Sequence, residues 1–280
     1  MTNYGNADRM RRASSALMTS LTALCTLLAV GALLIILSHI AWQGIGSLSF
    51  QFLTDSPRPV GEGGGIGNAI LGSVVLLVIS SAIGLPLGIC VGVYLSEIGR
   101  GRFGGIVRFI VDTLTGIPSI VTGVFVYAIL VLPMKHFSAI AGGVALALIM
   151  VPIVGRTTEE MLKLVPHSLR EGALALGAPQ WRVTLGVIIP AAAPGIATGA
   201  MLAIARISGE TAPLLFTAFG SRFFATSLNE PIASLTVQIY NYAISPYDEW
   251  HAQAWAATLV LMTLVLGINI IVRFLTRKKF

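Results

Sequence analysis

Charge is scarce in this chain: Asp, Glu, Lys and Arg make up 11% of its 280 residues, against roughly a quarter in soluble globular domains. That scarcity excludes a soluble fold with a hydrated surface. Cysteine is scarcer still, with only Cys25 and Cys90. Both lie inside apolar blocks, where a free thiol behaves as a small hydrophobe, so neither a disulfide framework nor a cysteine metal site is implied. His39, His136, His167 and His251 are spread over different segments, with no carboxylate spacing that marks a metal ligand set or a catalytic base. No Lys follows a Gly, so the Walker A loop that cradles phosphates is missing, and any nucleotide must be held by another chain. No nucleophile, base and orienting group stand together, which leaves no catalytic residue, metal or cofactor to assign here.

What the chain has in abundance is apolar sequence. Hydrophobic residues make up 55% of it, gathered in long blocks. A helix rises about 1.5 Å per residue, so a hydrocarbon core of ~30 Å takes about 20 of them. Six blocks near that length are predicted as spans: Leu21 to Trp42, Ala69 to Val93, Ile110 to Leu132, Phe137 to Val154, Ile196 to Phe219 and Ala252 to Phe274. The fourth is expected to end at Pro152 and Arg156. The first follows Arg9, Arg11 and Arg12, but it is too long for a cleavable leader and no small-x-small site ends it, so it reads as a retained span. The fold class is therefore an all-α integral membrane protein with six transmembrane helices.

The net charge of +6 is placed between the blocks rather than along one face. Arg9, Arg11, Arg12, Arg100, Arg102, Arg108, Arg156, Lys163, Arg170, Arg182, Arg273, Arg277, Lys278 and Lys279 fall on one side, and only Arg58, Lys135 and Arg222 on the other. The excess marks the cytoplasmic side and puts both termini there. Outside, Trp42 to Gly67 reads as an irregular Gly- and Pro-rich connection. The segment from Gly220 to His251 contains a helix-like pattern between Pro231 and Ala243, carried by Ile232, Leu235, Ile239 and Tyr242.

Three segments carry chemistry. The inner stretch Thr157 to Val183 is longer than a helix connection needs. It holds Glu171, Gly172, Ala173 and Gly177, followed by Val187, Ile188, Ile189 and Pro190. Its small residues permit a close-docking partner, and Gly177 permits a turn closed to bulkier residues. In the fifth block, Arg206 and Glu210 sit near mid-depth, where a charge costs from about 2.5 to well above 10 kcal/mol and so faces a cavity or a partner. Four apart, they can pair with each other. Alternatively, the planar fork of Arg206 can hold a passing oxyanion such as phosphate, with Glu210 moderating its hold. In the third block, Pro118 removes a backbone donor within Leu114 to Gly123. The helix must adjust near Gly116 to Ser119, where Thr115, Ser119 and Thr122 can line a polar path or serve close packing. Arg108 and Asp112, also four apart, read as a local ion pair.

The Glu171 pattern resembles the signature of permease subunits of ABC importers: Glu-Ala-Ala, three residues, Gly, nine residues, then Ile-x-Leu-Pro. Gly172 stands for the first Ala and Val187 for the Ile. The stretch Arg206 to Ala218 is similar to the corresponding span of the PstA-type phosphate permeases, and Thr211, Ala212 and Pro213 distinguish it from the Thr-Met usual in the PstC type. Leu114 to Gly123 resembles the same family in the same place. The likeness runs from about Gly65 to Phe274. It implies a type I ABC importer permease core of five helices, residues 67–280. Before it come the N-terminus, the first transmembrane helix and an outer loop, residues 1–66.

The resemblance also implies a place in the bacterial inner membrane as the permease of an ATP-driven phosphate importer. The partners would be a PstC-type permease, two cytoplasmic PstB-type ATPases that carry the ATP and Mg, an external PstS-type phosphate-binding protein, inorganic phosphate and membrane lipid, with no nucleic acid. Arg206, Glu210, Thr211, Ser119 and Thr122 would line the substrate pathway; Glu171, Gly172, Ala173 and Gly177 would couple to the ATPase. Another oxyanion, such as phosphonate or molybdate, is the alternative cargo. A membrane-embedded enzyme or signalling subunit is the reading from a different class.

Overall fold

Long apolar blocks with no water to satisfy their backbone must close their hydrogen bonds internally, and the chain does so as helices throughout. A computed structural model describes the backbone of residues 4–99 and 101–277, and the side chains of residues 10–99 and 101–274. Of the basic residues counted above, Arg9, Arg100, Arg277, Lys278 and Lys279 lie outside the described side chains. In chain order the helices are α1 (Tyr4–Ile45), α2 (Phe50–Thr54), α3 (Gly67–Val93), α4 (Arg102–Gly116), α5 (Ser119–Val126), α6 (Leu132–Met134), α7 (Ala139–Lys163), α8 (His167–Ala175), α9 (Gln180–Val183), α10 (Ile189–Ser208), α11 (Ala212–Thr217), α12 (Leu235–Ala243) and α13 (Asp248–Arg277). Wider helical turns at Tyr94–Ile98, Tyr127–Val131 and Thr184–Ile188 extend α3, join α5 to α6 and join α9 to α10.

Among the described residues, five continuous helical stretches are long and apolar enough to cross a membrane: Met10–Ile45, Gly67–Ile98, Ala139–Lys163, Gln180–Ser208 and Asp248–Phe274. The sixth expected span is broken, its halves Arg102–Gly116 and Ser119–Met134 meeting at 105°. Pro118 is the reason: it cannot donate to the preceding turn, and it forces Ile117 into an extended conformation (φ −71°, ψ 131°).

Two expected boundaries are corrected. The fourth span does not stop at Pro152 and Arg156; α7 runs through both to Lys163, its N-terminus capped by the Ser138 hydroxyl, which accepts from the Ala141 amide at 3.1 Å. Pro152 is buried and its helix neighbours Met150, Ile153 and Val154 pack into the main apolar cluster, which favours the continuous helix where the proline alone would loosen it. The fifth span is not Ile196 to Phe219. Its helix starts at Gln180, ends at Ser208 with Gly209 as its cap, and is followed by the separate short α11.

The core is a glycine-notched seam between α3 and α7. In lipid, helices gain little from hiding apolar surface from one another, so close backbone approach and van der Waals contact hold them together. A Cβ built on Gly88 would lie 2.7 Å from Val154 Cβ, one on Gly84 would lie 2.8 Å from Met150 Sδ, and one on Gly92 would lie 2.5 Å from Thr158 Cβ. The seam is reciprocal, because Leu76 of α3 fills the notch at Gly142 of α7. Around it gather Leu146, Met150, Val154, Ile207 and Leu214, all buried. On its other face α7 presents Thr157 and Met161 to Gly199 and Gly195 of α10. By contrast, α1 stands against α13 with most of its surface outward, and Gly44 brings it closest to the Trp255 carbonyl. Cys25 and Cys90 are free and face outward from α1 and α3.

Candidate functional site

The break between α4 and α5 opens a cavity of about 220 Å³ on one face of the apolar bundle. Leu114, Thr115 and Ile117 line one side, Ser119, Val121, Thr122 and Phe125 another, and Leu148, Ile149 and Ile153 of α7 a third; Arg206, in the last turn of α10, completes the wall. Thr115 spends its hydroxyl on the Val111 carbonyl at 2.9 Å. Ser119 and Thr122 make no side-chain hydrogen bond among the described residues. Arg206 is exposed to this space and has no carboxylate at ion-pair distance among the described residues. A guanidinium whose surroundings are three hydroxyls and otherwise Leu, Ile, Val and Phe, with no carboxylate among them, keeps its donors for whatever enters.

Arg206, Ser119 and Thr122 are thus brought to one cavity, while Glu210 and Thr211 do not line it. The expected Arg206–Glu210 pair is not formed. Gly209 ends the helix between them, with its amide donating to the Arg206 carbonyl at 3.2 Å, so the four-residue helical register that would bring the side chains together is lost. Instead the Glu210 carbonyl accepts from the Thr236 hydroxyl of α12 at 2.9 Å, and the Thr211 carbonyl starts α11 by accepting from Leu214 and Leu215. Behind the cavity, Gly123 of α5 sits so close to Pro213 that a Cβ would come within 2.6 Å of its Cα.

At the far end of the same helices lies a charge cluster that sequence spacing misassigned. Arg108 does not pair with Asp112. Its Nε and Nη2 donate to Glu159 Oε1 at 2.9 and 2.7 Å, while Arg156 donates to Oε2 at 3.2 Å and Lys163 also reaches Oε1. Glu159 is fully buried, and Asp112 is approached by Arg156 at 3.8 Å. Glu159 is 51 positions from Arg108, a separation at which no sequence rule anticipates a pair.

The small-residue segment folds as two short helices joined by a turn. In that turn Gly177 takes φ +79°, and its amide donates to the Leu174 carbonyl at 2.9 Å. Glu171 and Gly172 are exposed, Ala173 is half-buried against the cluster around Leu162 and Val183, and Gly177 is exposed. Leu174 and Leu176 also project outward, and a Cβ on Gly172 or Gly177 would touch nothing. The segment therefore presents an open face of small and apolar groups. It is fastened at Arg170, whose guanidinium bonds the buried carboxylate of Glu97 at the end of α3 and the Leu162 carbonyl at 3.3 Å. Ser96 donates to the same carboxylate at 3.0 Å.

A bundle with a broken span, an arginine-bearing cavity at the break and an exposed two-helix shoulder at one end suits a transport permease. Residues 84–280 match the model of the binding-protein-dependent transport system inner membrane component, and the chain belongs to that family. It is a multi-pass inner-membrane permease that works as part of a binding-protein-dependent ABC transporter, with the ATPase on a separate subunit and no catalytic or cofactor role in the family. The chain is 51% identical over 239 residues to the phosphate transport system permease protein PstA of Yersinia pestis, covering 85% of this chain and 81% of the relative. It is 45% identical to the PstA protein of Haemophilus influenzae, over 99% of both chains. Its fold is like that of a chain from a bacterial ABC transporter that imports the acidic polysaccharide alginate, with TM-score 0.64, 14% identity and coverage of 98% of both chains.

Proposed function

We propose that this chain is the PstA-type half of a phosphate importer's passage, with residues 67–280 as the permease unit and both termini cytoplasmic. A PstC-type permease supplies the other half, two PstB-type ATPases dock on the inner face, and a PstS-type protein delivers phosphate from outside. The reading rests on one observation above all, an Arg206 guanidinium that has no carboxylate partner among the described residues and lines a cavity with the Ser119 and Thr122 hydroxyls. A planar fork of donors matches two oxygens of a tetrahedral oxyanion, and the hydroxyls can donate to the others. Glu210 and Thr211, just past the helix end, belong to the same pathway if the passage extends toward α11 and α12. Names of relatives over 80% or more of their length support phosphate as cargo.

Glu171, Gly172, Ala173 and Gly177 provide the ATPase contact. The ATPase drives transport by binding the outward and inward arrangements of this shoulder with different free energies. The test is uptake by the assembled complex carrying Arg206→Ala or Arg206→Lys. A charge-assisted hydrogen bond contributes about 1.5 to 3 kcal/mol, so Arg206→Ala should lower uptake roughly tenfold to a hundredfold, and Arg206→Lys, which keeps charge but not the fork, by less. Full uptake in both variants, with normal assembly, overturns the assignment. Molybdate or a phosphonate competing more strongly than phosphate moves the cargo to that anion.

A further inference from the structure

The bundle carries a second polar cavity, of about 290 Å³, at the end opposite the α8 shoulder. It shares no lining residue with the Arg206 cavity. Four separate segments build it: the loop before α3 gives Arg58, the stretch after α11 gives Arg222, α12 gives Gln238, Asn241 and Tyr242, and the start of α13 gives Trp250. The walls are fixed from behind. Buried Asn68 donates to the Ser221 carbonyl at 2.7 Å, the Ser73 hydroxyl accepts from the Leu235 amide at 2.8 Å, and Ile232 donates to the Ala218 carbonyl at 3.3 Å. The chain between them turns through positive φ at Phe219 (61°) and Gly220 (102°), which aims Ser221 and Arg222 at the cavity.

Its lining is rich in donors whose partners are missing. Tyr242 is 3% exposed and its hydroxyl meets no partner in good hydrogen-bonding geometry among the described residues, with only the Gln238 side chain beside it. The indole Nε1 of Trp250, whose ring stacks on Tyr242 at 5.1 Å, is likewise buried and unbonded. Burial raises the Tyr242 pKa, so the group stays an O–H donor at neutral pH. No carboxylate lines the space. Asp55 is engaged by Arg58 at 3.0 Å, and nearby Glu249 accepts from the Gly61 amide at 2.8 Å. Arg222 has no ion-pair partner among the described residues. Arg222, an indole N–H and a phenol in one hollow, with the remaining donors of the Asp55-paired Arg58 beside them, suit a ligand that only accepts hydrogen bonds and carries negative charge.

We propose that this hollow is a second oxyanion site of the phosphate class, with Arg222 and Arg58 as its charged ligands and Tyr242 and Trp250 as its neutral donors. The choice of phosphate rests on the proposed function above; the site itself rests on its own geometry. The anion reaches it either free from solution or as the headgroup of an acidic lipid. Occupancy can be felt at the first cavity, because α12 carries both Tyr242 and Thr236, and Thr236 holds the Glu210 carbonyl four residues after Arg206.

The experiment is equilibrium binding of radiolabelled inorganic phosphate to the assembled transporter, without binding protein, in phosphatidylcholine nanodiscs and in nanodiscs containing phosphatidylglycerol. Arg206→Ala is the background, so that the first cavity contributes no phosphate. Phosphate should still bind in phosphatidylcholine, and Arg222→Ala should weaken it about tenfold or more, Arg222→Lys by less, and Tyr242→Phe by a few-fold. Loss of that binding when phosphatidylglycerol is added, with lipid retention that depends on Arg222, identifies the headgroup as the anion and keeps the site. Binding indifferent to Arg222→Ala in both lipids, or neither phosphate binding nor Arg222-dependent lipid retention, overturns it. If Arg206→Ala leaves uptake intact while the Arg222-dependent binding persists, the first cavity's role falls and this site stands.

Discussion

Glu97 and Arg170 form the joint on which the α8 shoulder depends, and replacing Glu97 with Gln tests it. Both side chains are largely out of solvent, with 4% of Glu97 and 16% of Arg170 exposed. Removing one partner of a buried pair typically costs about 3 to 5 kcal/mol, because the remaining charge is left uncompensated. Little else would compensate here: Arg170 would retain only the Leu162 carbonyl, and its Nε already lacks a partner. The cost would fall on the local docking of α8 rather than on the whole bundle, since the seam of α3 and α7 does not involve the pair. Taking the lower figure, about 3 kcal/mol, the undocked population should rise roughly a hundredfold. Amide exchange across Leu169 to Leu176 should accelerate by a similar factor, while α7 keeps its protection. In the assembled importer, ATP hydrolysis should continue with less phosphate moved per ATP. The double variant Glu97→Arg with Arg170→Glu should restore part of both. Unchanged exchange in Glu97→Gln would refute the idea that this pair fastens the shoulder.

Two further outcomes follow from the packing. Gly88→Leu should force α3 from α7 against Val154 and cost about 1 to 3 kcal/mol or more, read as a lower thermal midpoint in detergent, whereas Gly172→Ala, which meets open space, should leave the midpoint unchanged. Glu159→Gln should lower the midpoint by about 1 to 3 kcal/mol equivalent, discounted because Arg108, Arg156 and Lys163 are 33%, 41% and 52% exposed and can turn to water; a midpoint equal to the parent would show that the cluster adds nothing to stability.

The fold class was legible because block length and hydropathy are set by bilayer thickness, and the Pro118 disturbance because proline acts through its own neighbours. Helix limits were less legible where tertiary packing overrides local rules: α7 runs through the buried Pro152 while its neighbours Met150 and Val154 seat in the core, and the fifth helix stops at Gly209, far short of Phe219. The sequence anticipated α12, but α2 is hidden in a Gly- and Pro-rich connection, signalled only by Ser49, which caps it by accepting from Phe52 at 3.0 Å. Of the site, Arg206, Ser119 and Thr122 could be nominated from residue type and from the Gly and Pro interruptions beside them, although the span ending at Ser208 puts Arg206 in the last turn of its helix rather than in the middle of a block. The apolar wall from α7, the Arg108 link to Glu159 and the Tyr242 hollow could not, because each depends on contacts between segments dozens of residues apart.

The interlocked notches of α3, α7 and α10 have a mechanical consequence. Ridges seated in glycine slots resist gliding past one another by small steps, so a thrust from the proposed ATPase contact at Arg170 would tilt these three helices together. Flexure then falls to the places where the ladder of backbone bonds is already interrupted, Gly116 to Ser119 and Gly209 to Thr211. Those two joints flank the Arg206 guanidinium, so in the proposed pathway the fulcrum of the stroke would sit beside the anion.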